Sequence, residues 1–269
     1  MKTLALLFLA FACGCAAPIR FRYETQKNPP NRLWIAEINL ADPRVQVRVA
    51  PGGPDPDGPG PWQTTLMAPT LIAARENFDL VVNGDFFEAR NVRDAEGAKS
   101  GYRANQWASA VGPAMTDGIV WSVAAHPRPC LVVHENSRIT IEPVAHPSAD
   151  DRQVISGNVM LVTNGVAVPQ TNHAKHPRTV AGLNARHTKL TLVVVDGRKP
   201  GVAAGMEYSE LATEMIHLGC DTALNLDGGG SSLMAARDGA SRAYRILNQP
   251  TDGHERPVAD VLGVTIRDR

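Results

Sequence analysis

The chain has 269 residues, 43% of them hydrophobic, enough for a sizeable core in one large domain or two small ones. Lys plus Arg and Asp plus Glu balance at 27 each, so no overall field draws the chain to nucleic acid or to an anionic membrane, and any anion site has to be local. Aromatic residues make up only 5%, too few for a carbohydrate-binding module built on stacking platforms.

The N-terminus reads as an export signal. Lys2 supplies the positive end, and residues 4–12 form an apolar stretch too short to cross a bilayer. Ala12-Cys13-Gly14-Cys15 resembles a bacterial lipobox, with Cys15 as the residue to be cut and acylated. This predicts an exported lipoprotein of the periplasm, outer membrane or cell surface, touching the membrane only through its lipid. The competing reading is cleavage near Ala16-Ala17, leaving a soluble secreted protein. Residues 1–15 are thus assigned to the signal and residues 16–31, polar and containing proline, to a tether. Cys130 and Cys220 remain in the folded part. Export would permit one disulfide, and two buried thiols are equally compatible with the sequence.

Residues 33–39 and 45–49 alternate apolar with polar and predict two strands joined through Asp42-Pro43. Residues 51–61 are a Gly/Pro/Asp loop, and 67–77 predict a helix anchored by Leu71, Ile72 and Phe78. A strand at 80–82 runs into Asn83-Gly84-Asp85-Phe86-Phe87. Asn83-Gly84 reads either as a hairpin turn or as the end of a strand that aims Asn83 and Asp85 at a site. Residues 88–106 read as a loop over that site. Short strands are predicted at 119–123, 130–134, 139–142 and 160–162, with 143–158 as loop. The histidines are scattered, away from ligand spacing.

Three further stretches carry candidate chemistry. In His176-Pro177-Arg178-Thr179 the arginine follows a proline in extended backbone. It reads as a fixed fork for phosphate or carboxylate, or else as a solvated strand-edge residue. An apolar strand at 190–195 ends in Asp196-Gly197-Arg198, where Asp196 is either a turn residue or a second poised acid. Residues 209–218 predict the clearest helix, N-capped by Ser209 and stopped by Gly219, which delivers the chain to a strand over 223–227. That strand opens the most informative run, Asn225-Leu226-Asp227-Gly228-Gly229-Gly230-Ser231-Ser232. Its glycines read as a tight turn or as an anion cradle of backbone N–H groups. In the second reading Asp227 is the reactive carboxylate. A last strand over 258–266 closes the chain. Strands outnumber helices with no βαβ rhythm, which predicts an α+β fold, one domain with mixed or largely antiparallel sheets and few helices.

The succession NGDFF at 83–87, HPRTVAGL at 176–183, VVDGR at 194–198, ALNLDGGGSS at 223–232 and ERPVADVLGV at 255–264 resembles the phosphodiester glycosidase family, the family of the lysosomal uncovering enzyme and its bacterial relatives linked to exopolysaccharide. Residues 32–269 are assigned to that domain. The resemblance implies hydrolysis of a sugar-1-phosphodiester or phosphoglycan at the glycosidic bond, releasing free sugar and a phosphomonoester. On that basis Asp227 is expected to be the catalytic carboxylate, with Asp196 second. Arg178, Thr179, the 228–230 amides, Ser231, Ser232 and Arg256 are expected around phosphate, and Asn83, Asp85 and Asn225 around sugar or the acids. Asp85 and Asp260 depart from the family pattern, which often has a small residue and an Asn there. Carboxylates beside phosphate also suit Ca²⁺ or Mg²⁺, without a dedicated ligand loop in view. The rival function is a non-catalytic envelope protein that binds phosphorylated glycans through the same groups.

Overall fold

The structure is a computed structural model that describes residues 17–91, 101–239, 241 and 243–267. The expected signal and Cys15 lie outside the described residues. Among the described residues the chain forms twenty strands and two α-helices, and every strand pairing is antiparallel. The fold is therefore largely β, with less helix than an α+β description implies and no mixed sheet.

A seven-stranded sheet runs in the order Ile19–Lys27, Pro30–Asn39, Lys189–Val195, Arg178–Leu183, Thr222–Asn225, Val159–Thr163 and Val166–Ala167. Its central strands alternate cleanly, as a sheet buried on both faces requires. Ala181, Leu192, Val194 and Leu224 turn to one side, where they meet Val49, Val82, Leu131, Ile155 and Leu262 of two five-stranded sheets. Val180, Val193 and Val195 turn to the other side, against Leu211, Ala212 and Met215 of the helix Tyr208–His217. The second five-stranded sheet, which holds Leu80–Asn83, Met234–Arg237 and Asp260–Ile266, is covered on its far face by the helix Pro69–Glu76 through Ile72 and Ala73. Sheets thus pack on sheets at the centre, and one helix caps each outer face.

Both predicted helices form, with one change of cap. Glu207, not Ser209, is the N-cap: its own N–H donates to Glu210 Oε2 at 3.1 Å, which places Ser209 inside the first turn. Gly219, at φ +80°, stops the helix as expected. Two other expectations are corrected. Residues 16–31 are no tether, because Ile19–Lys27 forms an edge strand whose Tyr23 ring sits 4.5 Å from that of Trp34. The strands expected at 33–39 and 45–49 both form and, across the Asp42-Pro43 connection, enter different sheets. The stretch 143–158 holds the strand Asp151–Ser156, hidden in the sequence because its buried Asp151 and Gln153 are polar. Each has a partner: Asp151 pairs with His134 at 2.9 Å, and Gln153 Oε1 accepts the Val49 N–H at 3.1 Å.

Cys130 and Cys220 are two separate buried thiols, the second of the two readings left open by the sequence. Burial pushes the Cys220 thiol up to about 11 and raises that of Cys130 as well, so neither is a nucleophile in the folded protein.

The edge strand gives a direct check. Starting the chain at residue 30 instead of residue 17 removes the Tyr23–Trp34 contact and nine residues of pairing. Urea unfolding should show a loss of about 2 kcal/mol or more. A true tether could be cut with no change in midpoint.

Candidate active site

The site lies where the chain crosses from one sheet to another. The strand Thr222–Asn225 belongs to the seven-stranded sheet, and Met234–Arg237 belongs to the sheet of Leu80–Asn83. The glycine-rich run bridges them and is pinned at its start by the backbone. Leu226 N–H donates to the Thr179 carbonyl at 2.9 Å, and Asp227 N–H donates to the Gly84 carbonyl at 3.0 Å. Asn83, completely buried, ties the same three segments together. Its Nδ2 donates to the Asp227 carbonyl at 2.8 Å, while its Oδ1 accepts the Thr179 hydroxyl at 2.6 Å and the Leu233 N–H at 3.1 Å.

Above this seam opens a cleft of about 380 Å³, lined by His176, Arg178, Arg198, Asp227, Gly228, Gly229, Gly230, Asp252 and Arg256, with Phe86, Gly101 and Tyr102 as a further wall. Three guanidiniums therefore face two carboxylates, a cationic bias in a chain with no net charge. Arg178 is no solvated edge residue. Its guanidinium stacks 4.1 Å from the Tyr208 ring centroid, and it donates to the Met206 carbonyl from Nε (3.1 Å) and to the Ala174 carbonyl (2.9 Å), which leaves N–H groups for the cleft. Arg256 is held by Asp252 at 2.8 Å and by the Tyr102 ring at 4.8 Å.

Of the two carboxylates in this cleft, Asp252 is paired with Arg256, and Asp227 makes no ion pair among the described residues. Burial pushes it up to about 6. The Gly228 N–H, which donates to Oδ1 at 2.8 Å, and the charge of Arg256 pull the other way. Ser231 lies close enough to add to that pull without making a well-directed hydrogen bond.

The glycines serve a different purpose from the expected cradle. Gly228 N–H is taken by Asp227, and Gly229 N–H donates to the Pro177 carbonyl at 2.9 Å, so two of the three amides are already used. What the run provides is room for arginines. A Cβ on Gly230 would sit 1.8 Å from the Arg256 guanidinium. One on Gly229, which is at φ +64°, would sit 3.2 Å from that of Arg198.

Of the residues expected at the site, Asp227, Arg178, Arg256 and the three glycines line the cleft, whereas Asn83, Thr179, Asn225, Ser231, Ser232 and Asp85 are buried behind it. Asn225 donates to Asn158 at 2.9 Å and to the Leu226 carbonyl at 2.6 Å, so it shapes the turn instead of facing a ligand. Asp196, expected as a second carboxylate, is also outside the lining. It accepts Gln249 N–H at 2.9 Å and Asn248 Nδ2 at 3.3 Å, and thereby holds the loop that carries Arg256. Among the described residues no group of three or more His, Cys, Asp or Glu is arranged to hold a metal.

Sequence reasoning passed over His176, Arg198 and Asp252. The first two stand inside motifs that had been noticed for their neighbours, and the i,i+4 spacing of Asp252 and Arg256 was a readable signal. Arg198, at φ +57°, donates to His176 Nδ1 at 3.2 Å. A guanidinium cannot accept, so Nδ1 is the acceptor and the ring proton sits on Nε2. Burial, then the charges of Arg178 and Arg198, lower the His176 pKa, so the ring is neutral at pH 7.

Two stability measurements follow from this geometry. Because the folded-state pKa of Asp227 is raised, its charge destabilises the fold above about pH 6, and the penalty fades as pH falls toward 3.8. Asp227→Asn should therefore stabilise the protein by about 1–3 kcal/mol at neutral pH and by almost nothing near pH 4. Asn83→Ala leaves a buried hydroxyl, an N–H and a carbonyl without partners, and should cost about 2–4 kcal/mol in chemical denaturation.

Comparison with known proteins places this arrangement. The zebrafish N-acetylglucosamine-1-phosphodiester alpha-N-acetylglucosaminidase catalytic domain, auto-inhibited by its pro-peptide, superposes with a TM-score of 0.63 at 17% identity, covering 93% of this chain and 82% of that one. A candidate exported protein of Burkholderia pseudomallei K96243 gives 0.65 at 17% identity over 88% and 74% of the two chains. These likenesses concern the fold. In sequence, the SPbeta prophage-derived uncharacterized protein YomE of Bacillus subtilis (strain 168) is 33% identical over 96 residues, 36% of this chain and 14% of that protein, so the match spans a small part of that relative's length. The profile of the phosphodiester glycosidase family matches residues 76–265, which contain the whole seam and every residue lining the cleft. The protein belongs to the phosphodiester glycosidase family.

Proposed function

We propose that the protein hydrolyses a sugar-1-phosphodiester at its glycosidic bond, releasing free sugar and a phosphomonoester. The observation that carries this reading is a carboxylate raised by burial, Asp227, set in a cleft with three guanidiniums, while the cleft's other carboxylate, Asp252, is paired with Arg256. Arg178, Arg198 and Arg256 suit a phosphodiester anion, and they stabilise it further as it gains charge on leaving. The His176 Nε2–H adds a neutral donor. Phosphate departs readily once so held, and a strong general acid is not required. Asp227, with its pKa near 6, is ionised at neutral pH and still basic enough to take a proton from the water that attacks the anomeric carbon. Phe86 and Tyr102 offer an apolar wall for the sugar or the aglycone.

Export is part of the same proposal. It is supported by the charged and apolar N-terminus and by the likeness to a candidate exported protein. A lipid on Cys15 and an envelope phosphoglycan as substrate are the form we propose for it.

The test is a panel of α-linked sugar-1-phosphodiesters in ¹⁸O-water, with products read by mass spectrometry. Cleavage at carbon leaves the phosphomonoester without heavy oxygen, whereas cleavage at phosphorus would put it on the phosphate of whichever product forms, sugar-1-phosphate or the other phosphomonoester, which sinks the proposal. Asp227→Asn should lower kcat about 10³-fold or more while substrate still binds. The wild-type rate should fall as pH drops through about 6. Arg198→Ala should weaken binding and flatten its salt dependence. A chelator control reads whether Ca²⁺ or Mg²⁺ takes part. Binding without turnover in both wild type and Asp227→Asn would make the protein a receptor for phosphorylated glycans.

A further inference from the structure

Behind the cleft lies a second pair of acids that the proposed chemistry does not use. Asp85 follows the strand Leu80–Asn83, and Asp260 opens the neighbouring strand Asp260–Ile266; they are 2% and 0% exposed. One oxygen of each is fully engaged. Asp85 Oδ1 accepts the Ser156 N–H at 2.6 Å and the Ser156 hydroxyl at 2.5 Å, and Asp260 Oδ1 accepts the Asp85 N–H at 2.7 Å. The Oδ2 atom of each is buried and, among the described residues, meets no N–H or hydroxyl donor. The 2.7 Å bond from Asp85 N–H sets the Asp260 carboxyl against the base of the Asp85 side chain, so the two acids are immediate neighbours. Asp227 lies beside Asp260 and the Cys130 thiol beside Asp85, and the Arg128 side chain borders Ser156 across Gly112, but among the described residues no cation makes an ion pair with either acid.

Two adjacent buried anions without an ion-paired cation are not a stable arrangement, because burial and mutual repulsion act in the same direction. One proton held between them removes one charge and gives an orphan oxygen its donor. Burial first, and then the charge of Asp260, push Asp85 well toward the protonated form, whereas burial pushes Asp260 up only to about 6 because its hydrogen bonds with Asp85 pull the other way. The backbone carries the consequence to the cleft. The Asp260 carbonyl accepts Gly84 N–H at 3.1 Å, and the Gly84 carbonyl accepts Asp227 N–H at 3.0 Å. Gly84 is wedged so closely that a Cβ there would lie 2.0 Å from Asp260 Oδ1.

We propose that Asp85 and Asp260 share one proton, and that this carboxyl–carboxylate clamp is a positioning element that sets Asp227 through Gly84. Loss of the shared proton at alkaline pH puts two charges on the clamp, drives the Asp85 segment and the Asp260 strand apart and shifts Asp227. The catalytic consequence rests on the reading of Asp227 as the reacting carboxylate, but the clamp itself does not.

Infrared difference spectroscopy on the ligand-free protein at about pH 8 tests the first half. A protonated-carboxyl band should be present in wild type and absent from both Asp85→Asn and Asp260→Asn, where the amide N–H replaces the shared proton. No such band in wild type, or its survival in both variants, would overturn the clamp. For the second half, the ¹³C resonance of the Asp227 carboxyl should show an additional alkaline step in wild type that is missing in Asp85→Asn or, if that variant does not fold, in Asp260→Asn. Identical titrations would overturn the positioning role. With a cleavable substrate in hand, wild-type kcat should drop about tenfold across that alkaline step while the variant's profile stays flat. The spectroscopic results decide the clamp even if no phosphodiester is ever cleaved.

Discussion

The site depends on one buried amide. Asn83 donates to the main chain at Asp227 and accepts from Thr179 and Leu233, so it joins two packed sheets at the point where the chain crosses between them. Packed sheets meet through side chains, and nothing in hydrophobic burial fixes their registration to a few tenths of an ångström. Directed hydrogen bonds in a region without water can do so, because each lost partner leaves an unsatisfied polar group behind. The backbone bonds from Leu226 to Thr179 and from Asp227 to Gly84 act in the same place. Asp227 is therefore carried on a rigid seam between strands, which is what a group acting on a single atom requires.

Charge is then arranged around that fixed point. A carboxylate with so little water around it is held ionised at some cost, and the arginines that offset the cost are held independently of it. Arg178 is placed by Tyr208 and two carbonyls, and Arg256 by Asp252 and Tyr102. These supports keep the guanidiniums from collapsing onto Asp227 in a closed ion pair, which would quench both partners. The same logic explains the glycines at 229 and 230: side chains there would occupy the space taken by the Arg198 and Arg256 guanidiniums. Asp252 is paired with its arginine, and Asp227 is kept out of such a pair.

Much of this was legible in the sequence, and the parts that were not have physical reasons. The helices, most central strands and the run from Asn225 to Ser232 were visible through periodicity and through a carboxylate followed by glycines. Asp196 was misread because an acid at the end of an apolar strand looks the same whether it faces a cleft or accepts from Asn248 and Gln249. The expected amide cradle failed because a glycine run advertises backbone freedom without telling where its N–H groups point. The strand Ile19–Lys27 looked like a tether because an edge strand exposed on much of its surface has little hydrophobic pattern to show.

What the sequence determined by itself was chemistry in order: a strand-ending Asn-Gly-Asp, an Arg behind a proline, an Asp-Gly-Arg, and Asp227 before its glycines, in the succession of one family. These are local properties, set by which side chains stand next to which backbone. The tertiary structure alone decided which of those groups share a space. Residues 83, 178 and 227 are far apart along the chain, and only the packing of two sheets makes them neighbours, turning Asn83 inward as a clip and Arg178 and Asp227 outward to one cleft. Facing direction at a sheet end depends on strand register and on the partner across the seam, which are non-local quantities that no single stretch of chain encodes.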